Sequence, residues 1–184
     1  MDIHFINAYS FDKELADFYN TELERYPEED WIVFTDGDAQ FTANDFGHRI
    51  KQVIEANPEY RLFTCLTNRV ACPYQVVKGY WYEERMNEHW RLGDALWKKY
   101  GTEVSDITNE QPLSGVLMAM QCKEALEVGG FYGRGMLGVD NSLHVAHAAA
   151  RKKVGLMLGV YMMHYYRSGQ TGGASMEHLR KSNE

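Results

Sequence analysis

Along most of the chain, short apolar runs of strand length alternate with segments whose apolar positions recur every three or four residues. That alternation predicts an α/β domain, a mixed sheet flanked by helices. Residues 3–8 form the first strand candidate. A helix is predicted over 11–25, because Phe11, Leu15, Phe18, Tyr19 and Leu23 share one face. Ser10 is placed to cap it, and Asp12 stands in its first turn, where the helix dipole favours an acid. Residues 31–35, Trp-Ile-Val-Phe-Thr, are apolar almost throughout, as a strand covered on both faces requires. A second helix follows, with Phe46, Ile50, Val53 and Ile54 as its buried stripe and Pro58 as its stop. Residues 61–67 are the third strand.

The stretch 75–112 is less regular and rich in aromatic and charged groups, with a helix expected over 82–99. A strand over 115–120 and a short helix over 123–128, closed by Gly129-Gly130, come next. A helix over 139–152 and a last strand over 154–164 complete the pattern. Residues 168–184 contain Gly169, Gly172, Gly173 and Ser175 and show no apolar periodicity. We expect one domain over 1–167 and a mobile tail after it.

A length of 184 residues suits one domain with a real core. The net charge of −7 disfavours binding to phosphate backbones, so no nucleic-acid partner is expected. No apolar run approaches the roughly 18 residues of a membrane span, and the first residues do not read as a secretory leader. Cys65, Cys72 and Cys122 are odd in number and lack metal spacing, so we expect reduced thiols in a cytoplasmic protein. Cys65 alternates with apolar residues and reads as a small core side chain. Twelve tyrosines and four tryptophans exceed what a small core needs, which points to aromatic residues on a binding surface or a homodimer contact.

The sharpest local signal is Thr35-Asp36-Gly37-Asp38, directly after the buried strand. Open α/β sheets place ligands at the carboxyl ends of their strands. Two carboxylates one residue apart there can converge on Mg²⁺ or Mn²⁺, which prefer oxygen ligands and bridge diphosphates. An acidic turn that only solvates the strand end explains the same residues equally well. Gly138-Val139-Asp140-Asn141 opens a predicted helix, where Asp140 reads either as a functional acid or as a plain cap. His164, ending the last strand, can complete a carboxylate metal site or serve as a satisfied core histidine. His144 and His147 lie three apart on a helix but lack a third ligand at zinc spacing. The chain carries neither a phosphate-binding P-loop nor a Gly-x-Ser-x-Gly nucleophile elbow.

Taken in order, Asp36-Gly37-Asp38, Leu113-Ser114-Gly115-Val116-Leu117-Met118-Ala119, Val128-Gly129-Gly130-Phe131, Gly138-Val139-Asp140-Asn141 and Tyr161-Met162-Met163-His164-Tyr165-Tyr166-Arg167 resemble the nucleotide-sugar-dependent glycosyltransferases of the GT-A fold, especially the large family 2 group. The resemblance covers roughly residues 31–167. It implies a metal-dependent transfer of a sugar from a nucleotide-diphosphate donor, such as a UDP- or GDP-sugar, to a carbohydrate or other hydroxyl acceptor. It implies Mn²⁺ or Mg²⁺ on Asp38, with Asp36 at the ion or the donor and His164 as a third ligand. Asp140 falls where inverting members carry the general base, and Arg167 lies where it can reach the diphosphate. Trp81, Trp90 and Trp97 offer flat apolar surface for a sugar, or core packing.

Family members usually carry two more strands before the Asp-x-Asp motif, so this domain is expected to be a truncated version, its base pocket built from Tyr9 and neighbours. Val139 stands where a Glu commonly precedes the base. Two other readings remain. One is a GT-A-like module that binds sugar or nucleotide without turnover. The other is a haloacid-dehalogenase-like phosphohydrolase with Asp36 as nucleophile and Asp38 as acid/base. That family expects Thr or Val where Gln40 stands and a paired acidic motif late in the chain, where only Asp140 is found.

Overall fold

The apolar run after Pro27 is a strand buried at every position, β2 (Trp31–Thr35). In the computed structural model, which describes residues 1–8, 14–135 and 137–165, β2 lies second from the edge of a seven-stranded mixed sheet. β1 (Ile3–Asn7) is that edge and pairs with β2 in parallel, Ile3 opposite Trp31. On the other side runs β6 (Leu117–Gln121), antiparallel to β2 and to the next strand, β4 (Tyr60–Thr67). The long strand β7 (Lys153–His164) is parallel to β4. The outer flank of β7 is shared by two short antiparallel strands. β5 (Val104–Asp106) pairs near its start and β3 (Ala39–Phe41) at its end.

Successive side chains of a strand point to opposite faces, and the core divides accordingly. Ile32 and Phe34 of β2 join Leu62, Met118 and Met120 on one face, beneath α1 (Leu15–Arg25), α4 (Cys122–Glu127) and α5 (Val139–Ala149). Trp31 and Val33 join Phe63, Cys65, Ala119 and Met157 on the other, beneath α2 (Phe46–Ala56). The fully buried Phe34 sits at the centre of the first face against Tyr19 and Phe131, with ring centroids 4.6 and 5.9 Å away. Truncating such a ring to Ala costs about 3–5 kcal/mol. α3 (Met86–Tyr100) packs along β7 and sends Leu92 and Leu96 to the first core and Trp97 to the second.

The α/β class, the mixed sheet and its flanking helices follow the expectation from the sequence. Several boundaries differ. β3 and β5 span three residues each and had no visible pattern. The 82–99 helix begins at Met86, after a turn in which Glu83 accepts from the Arg85 side chain at 2.7 Å. The last helix stops at Ala149, and the chain turns through Arg151 at φ 58° into β7. The proposed cap Ser10 and the segment beyond Tyr165 lie outside the described residues. Cys65, Cys72 and Cys122 are buried and free. Among the described residues no helix is long and apolar enough to cross a membrane.

Candidate metal centre and its cavity

β2 delivers the acidic pair. Its end is pinned by Thr35, whose hydroxyl donates to the Asn7 side chain at 2.7 Å, and by the Asp36 N–H, which donates to the Val116 carbonyl at 3.2 Å. The chain then turns through Gly37, with the Ala39 N–H donating back to the Asp36 carbonyl at 3.2 Å. This turn feeds β3, whose first residue, Ala39, pairs with His164 at the end of β7. The Tyr165 N–H closes the corner by donating to the Asp38 carbonyl at 2.9 Å. The small strand that sequence patterning did not reveal is therefore what carries the acids to the histidine.

His164 Nε2 lies 3.1 Å from Asp38 Oδ1 and 3.7 Å from Asp36 Oδ2. One ligand atom from each of the three residues falls within 4.8 Å of the others. The far nitrogen of the ring, Nδ1, donates to the Arg69 carbonyl at 2.7 Å, and the His164 N–H donates to Asn68 Oδ1 at 2.8 Å. A carbonyl can only accept, so the proton of a neutral ring sits on Nδ1 and the Nε2 lone pair faces the acids. Two carboxylates and one imidazole form an oxygen-rich set suited to Mg²⁺ or Mn²⁺. The residues present thus fit the ion that the resemblance implies.

The electrostatics agree with that geometry. Burial pushes the Asp36 carboxyl up to about 6; His164 opposes the shift, and the charges of Asp38 and Asp140 add to it. Asp38 is held below its usual range, chiefly by its hydrogen bond to His164. Burial works against the imidazolium of His164, but the hydrogen bond to Asp38 and the nearby acids outweigh it and raise its pKa. The three groups concentrate negative charge at one corner, which favours a positively charged partner.

Asp140 comes from α5, in its second residue. The helix cap is Gly138, at φ 77°, so Asp140 is not the cap. Its Oδ2 accepts the Gly115 N–H at 2.7 Å. A Cβ on residue 115 would lie 2.8 Å from the Asp140 Cβ, so the approach needs glycine there. Burial raises the Asp140 pKa, against the stabilising hydrogen bond from Gly115. The segment that carries Gly115 is held from two sides. Gln75 accepts the Ser114 N–H at 2.7 Å and donates to the Ser114 carbonyl at 3.1 Å. His144 Nδ1 accepts the Leu113 N–H at 3.1 Å.

Asp36, Asp38, His164 and Asp140 line one open cavity of about 650 Å³. Four residues drawn from three distant stretches of the sequence meet there, together with Tyr19 of α1. Tyr19 had read as core, since it lies on the apolar stripe of its helix. It packs against Phe34 and Phe131 as core does, yet burial and the charges of Asp36 and Asp140 drive its pKa up. Gly115 and Arg69 were also not singled out; their roles depend on contacts with residues far along the chain.

The other expectations resolve differently. Tyr9 and Arg167 lie outside the described residues. Trp81, Trp90 and Trp97 do not line this cavity. Trp81 is buried, Trp97 lies beneath the Arg49 guanidinium, and Trp90 is half exposed elsewhere. His144 and His147 do not share a site. His144 Nε2 points to the Thr108 carbonyl at 3.3 Å, and His147 Nδ1 donates to the Leu143 carbonyl at 2.9 Å. His89 lies between the Tyr161 hydroxyl and the Glu83 carbonyl, at 2.7 and 3.0 Å. No protein-family model matches the chain, and a search of the curated proteins gives no match.

Proposed function

We propose that this protein is a metal-dependent glycosyltransferase that moves a sugar from a nucleotide-diphosphate donor to an acceptor hydroxyl with inversion. The observation that supports this reading most is the convergence of the Asp36–Asp38–His164 cluster and Asp140 on one cavity. A metal-binding corner and a separate buried acid are the two parts such a reaction needs. Asp36, Asp38 and His164 would hold Mn²⁺ or Mg²⁺, which when bound supplies positive charge beside the leaving diphosphate.

The chain's own groups do the rest. Asp140, fixed by the Gly115 N–H, takes the proton of the acceptor hydroxyl. The acceptor oxygen bonds to the anomeric carbon as the bond from that carbon to the phosphate oxygen breaks, and the electron pair leaves with the diphosphate. A carboxyl whose pKa burial has raised is a stronger base than an exposed one, provided it is ionised when the acceptor binds. The three free, buried thiols support a reducing compartment such as the cytoplasm.

Calorimetric titration with UDP, GDP, CMP and dTDP, each with and without Mn²⁺, tests the reading. Binding of one nucleotide that requires metal and is lost in Asp38→Ala supports the donor site. Slow hydrolysis of the matching nucleotide sugar then separates an enzyme from a module that only binds. Absence of binding for all four sinks the transferase, and Mg²⁺-dependent turnover of an aryl phosphate would point to a phosphohydrolase.

A further inference from the structure

A second cavity, of about 320 Å³, is lined by residues of α2, α3 and the segment that follows β3, at the opposite end of that strand from Asp38. β3 joins the two places: Asp38 precedes it and Thr42 follows it. Four residues of extended chain span about 13 Å. The lining is mostly polar, with Thr42, Asn44, Asp45, Arg49 and Asp94, and one indole, Trp90.

Trp90 is the one tryptophan of the four left half exposed, at 50%. The other three lie in or against the core. The half-exposed Trp90 ring lines the cavity, so an apolar face and polar groups are offered to the same space. Asp94 stands one helical turn after Trp90, so ring and carboxylate share one face of α3. Arg49 forms the back wall. Its Nη2 donates to Asp94 Oδ1 at 3.0 Å, and its Nε lies 2.8 Å from Asp45 Oδ1 without the alignment of a hydrogen bond. The guanidinium also lies 5.3 Å from the Trp97 ring centroid. Its side chain is only 13% exposed, whereas those of Asp45 and Asp94 are 54% and 67% exposed. Asp45 and Asp94 both line the cavity, and Arg49 lies between them, where a metal ion would need to sit.

The wall is built rather than incidental. Thr42 donates to the Tyr161 carbonyl at 2.9 Å, and α3 comes close to Thr42 only because residue 93 is glycine. Flat apolar surface beside carboxylate and amide groups matches a pyranose, which has a C–H face and a rim of hydroxyls. Two acids against one guanidinium leave the cavity with a charge of −1, which repels acidic sugars. We propose that this cavity is a carbohydrate subsite that holds one neutral pyranose ring of a glycan, stacked on Trp90. It goes beyond the transferase reading, because its chemistry uses neither the metal corner nor Asp140.

Saturation-transfer NMR on the full chain tests this, with the methyl glycosides of glucose, galactose, mannose and N-acetylglucosamine, and with glucuronate. At least one neutral glycoside is expected to bind. Trp90→Ala and Asp94→Asn, both at exposed positions, should each weaken it about tenfold or more, whereas Asp38→Asn should leave it unchanged. Glucuronate should give no transfer. Failure of all four neutral glycosides to bind the wild-type chain overturns the subsite. So does binding that Trp90→Ala leaves intact. Loss with Asp38→Asn alone would place the sugar in the first cavity, which overturns the subsite without touching the transferase reading.

Discussion

His164 donates through Nδ1 to the main-chain carbonyl of Arg69, 2.7 Å away, and so turns Nε2 toward Asp36 and Asp38. Arg69 is itself fixed, almost fully buried, with its guanidinium on the carbonyls of Trp81 and Tyr165. The tautomer of a potential ligand is thus set by backbone from the end of β4. His164→Ala removes one of the three candidate ligand atoms and leaves the acids in place. We expect it to weaken Mn²⁺ binding by about tenfold or more, read as free Mn²⁺ by electron paramagnetic resonance. Affinity within twofold of wild type would show that His164 is no ligand.

The same cluster dictates how metal binding depends on pH. Asp36 must lose its proton to ligate, and its pKa stands at about 6. His164 must lose one too, and its pKa lies above the usual value. Protons and metal compete for these groups, so the apparent Mn²⁺ affinity should climb as pH rises through about 6, where Asp36 loses its proton, and go on climbing until His164 has lost its own. Calorimetry across that range reads it. A flat profile would mean that the ion, if bound, sits elsewhere.

A separate acid sensitivity lies in α5. His147 is fully buried; Nδ1 donates to Leu143, and Nε2 has no partner. Burial pushes its pKa down from 6.5 to about 4. The unfolded chain therefore takes up this proton more readily than the native one. Stability is lost as pH falls from about 6.5 toward 4, by at most about 3 kcal/mol. His147→Leu removes the titrating group, so its unfolding free energy should fall less steeply over this window. Equal slopes in urea melts of the two proteins would contradict the assignment.

The sheet was legible wherever strands were long or doubly buried, because period and composition then agree. β2 with its acidic end shows this. β3 and β5, at three residues each, carry too few positions to show a period. They form because β7 offers an open edge, which is a tertiary fact. Asp36, Asp38, Asp140 and His164 stood out as polar residues at the ends of predicted elements, where ligand sites form. Tyr19 stayed hidden because its position on an apolar helical stripe reads as core, and it serves as core as well. Gly115 had no signal of its own, since the reason for glycine there is a carboxylate on another element. Trp90 and Trp97 looked alike in sequence; only the packing of α3 separates the exposed ring from the one under Arg49.

Asp140 and Gly115 permit a paired test of the proposed base. Asp140→Asn keeps the shape and can still accept the Gly115 N–H, but it cannot take a proton. Metal-dependent nucleotide binding should survive, and sugar transfer should fall by about 10² to 10⁴. Gly115→Ala leaves the carboxylate in place chemically but drives a methyl group to 2.8 Å from its Cβ. The carboxylate must then shift, at a cost in stability of about 1–3 kcal/mol. Transfer should drop about 10²-fold, since small displacements of a positioned group have effects of that size. Donor binding should change little in both variants, because the Asp36–Asp38–His164 corner is built on β2, β3 and β7. Transfer at the wild-type rate by Asp140→Asn would remove Asp140 from the chemistry and leave the base to be sought elsewhere around the cavity.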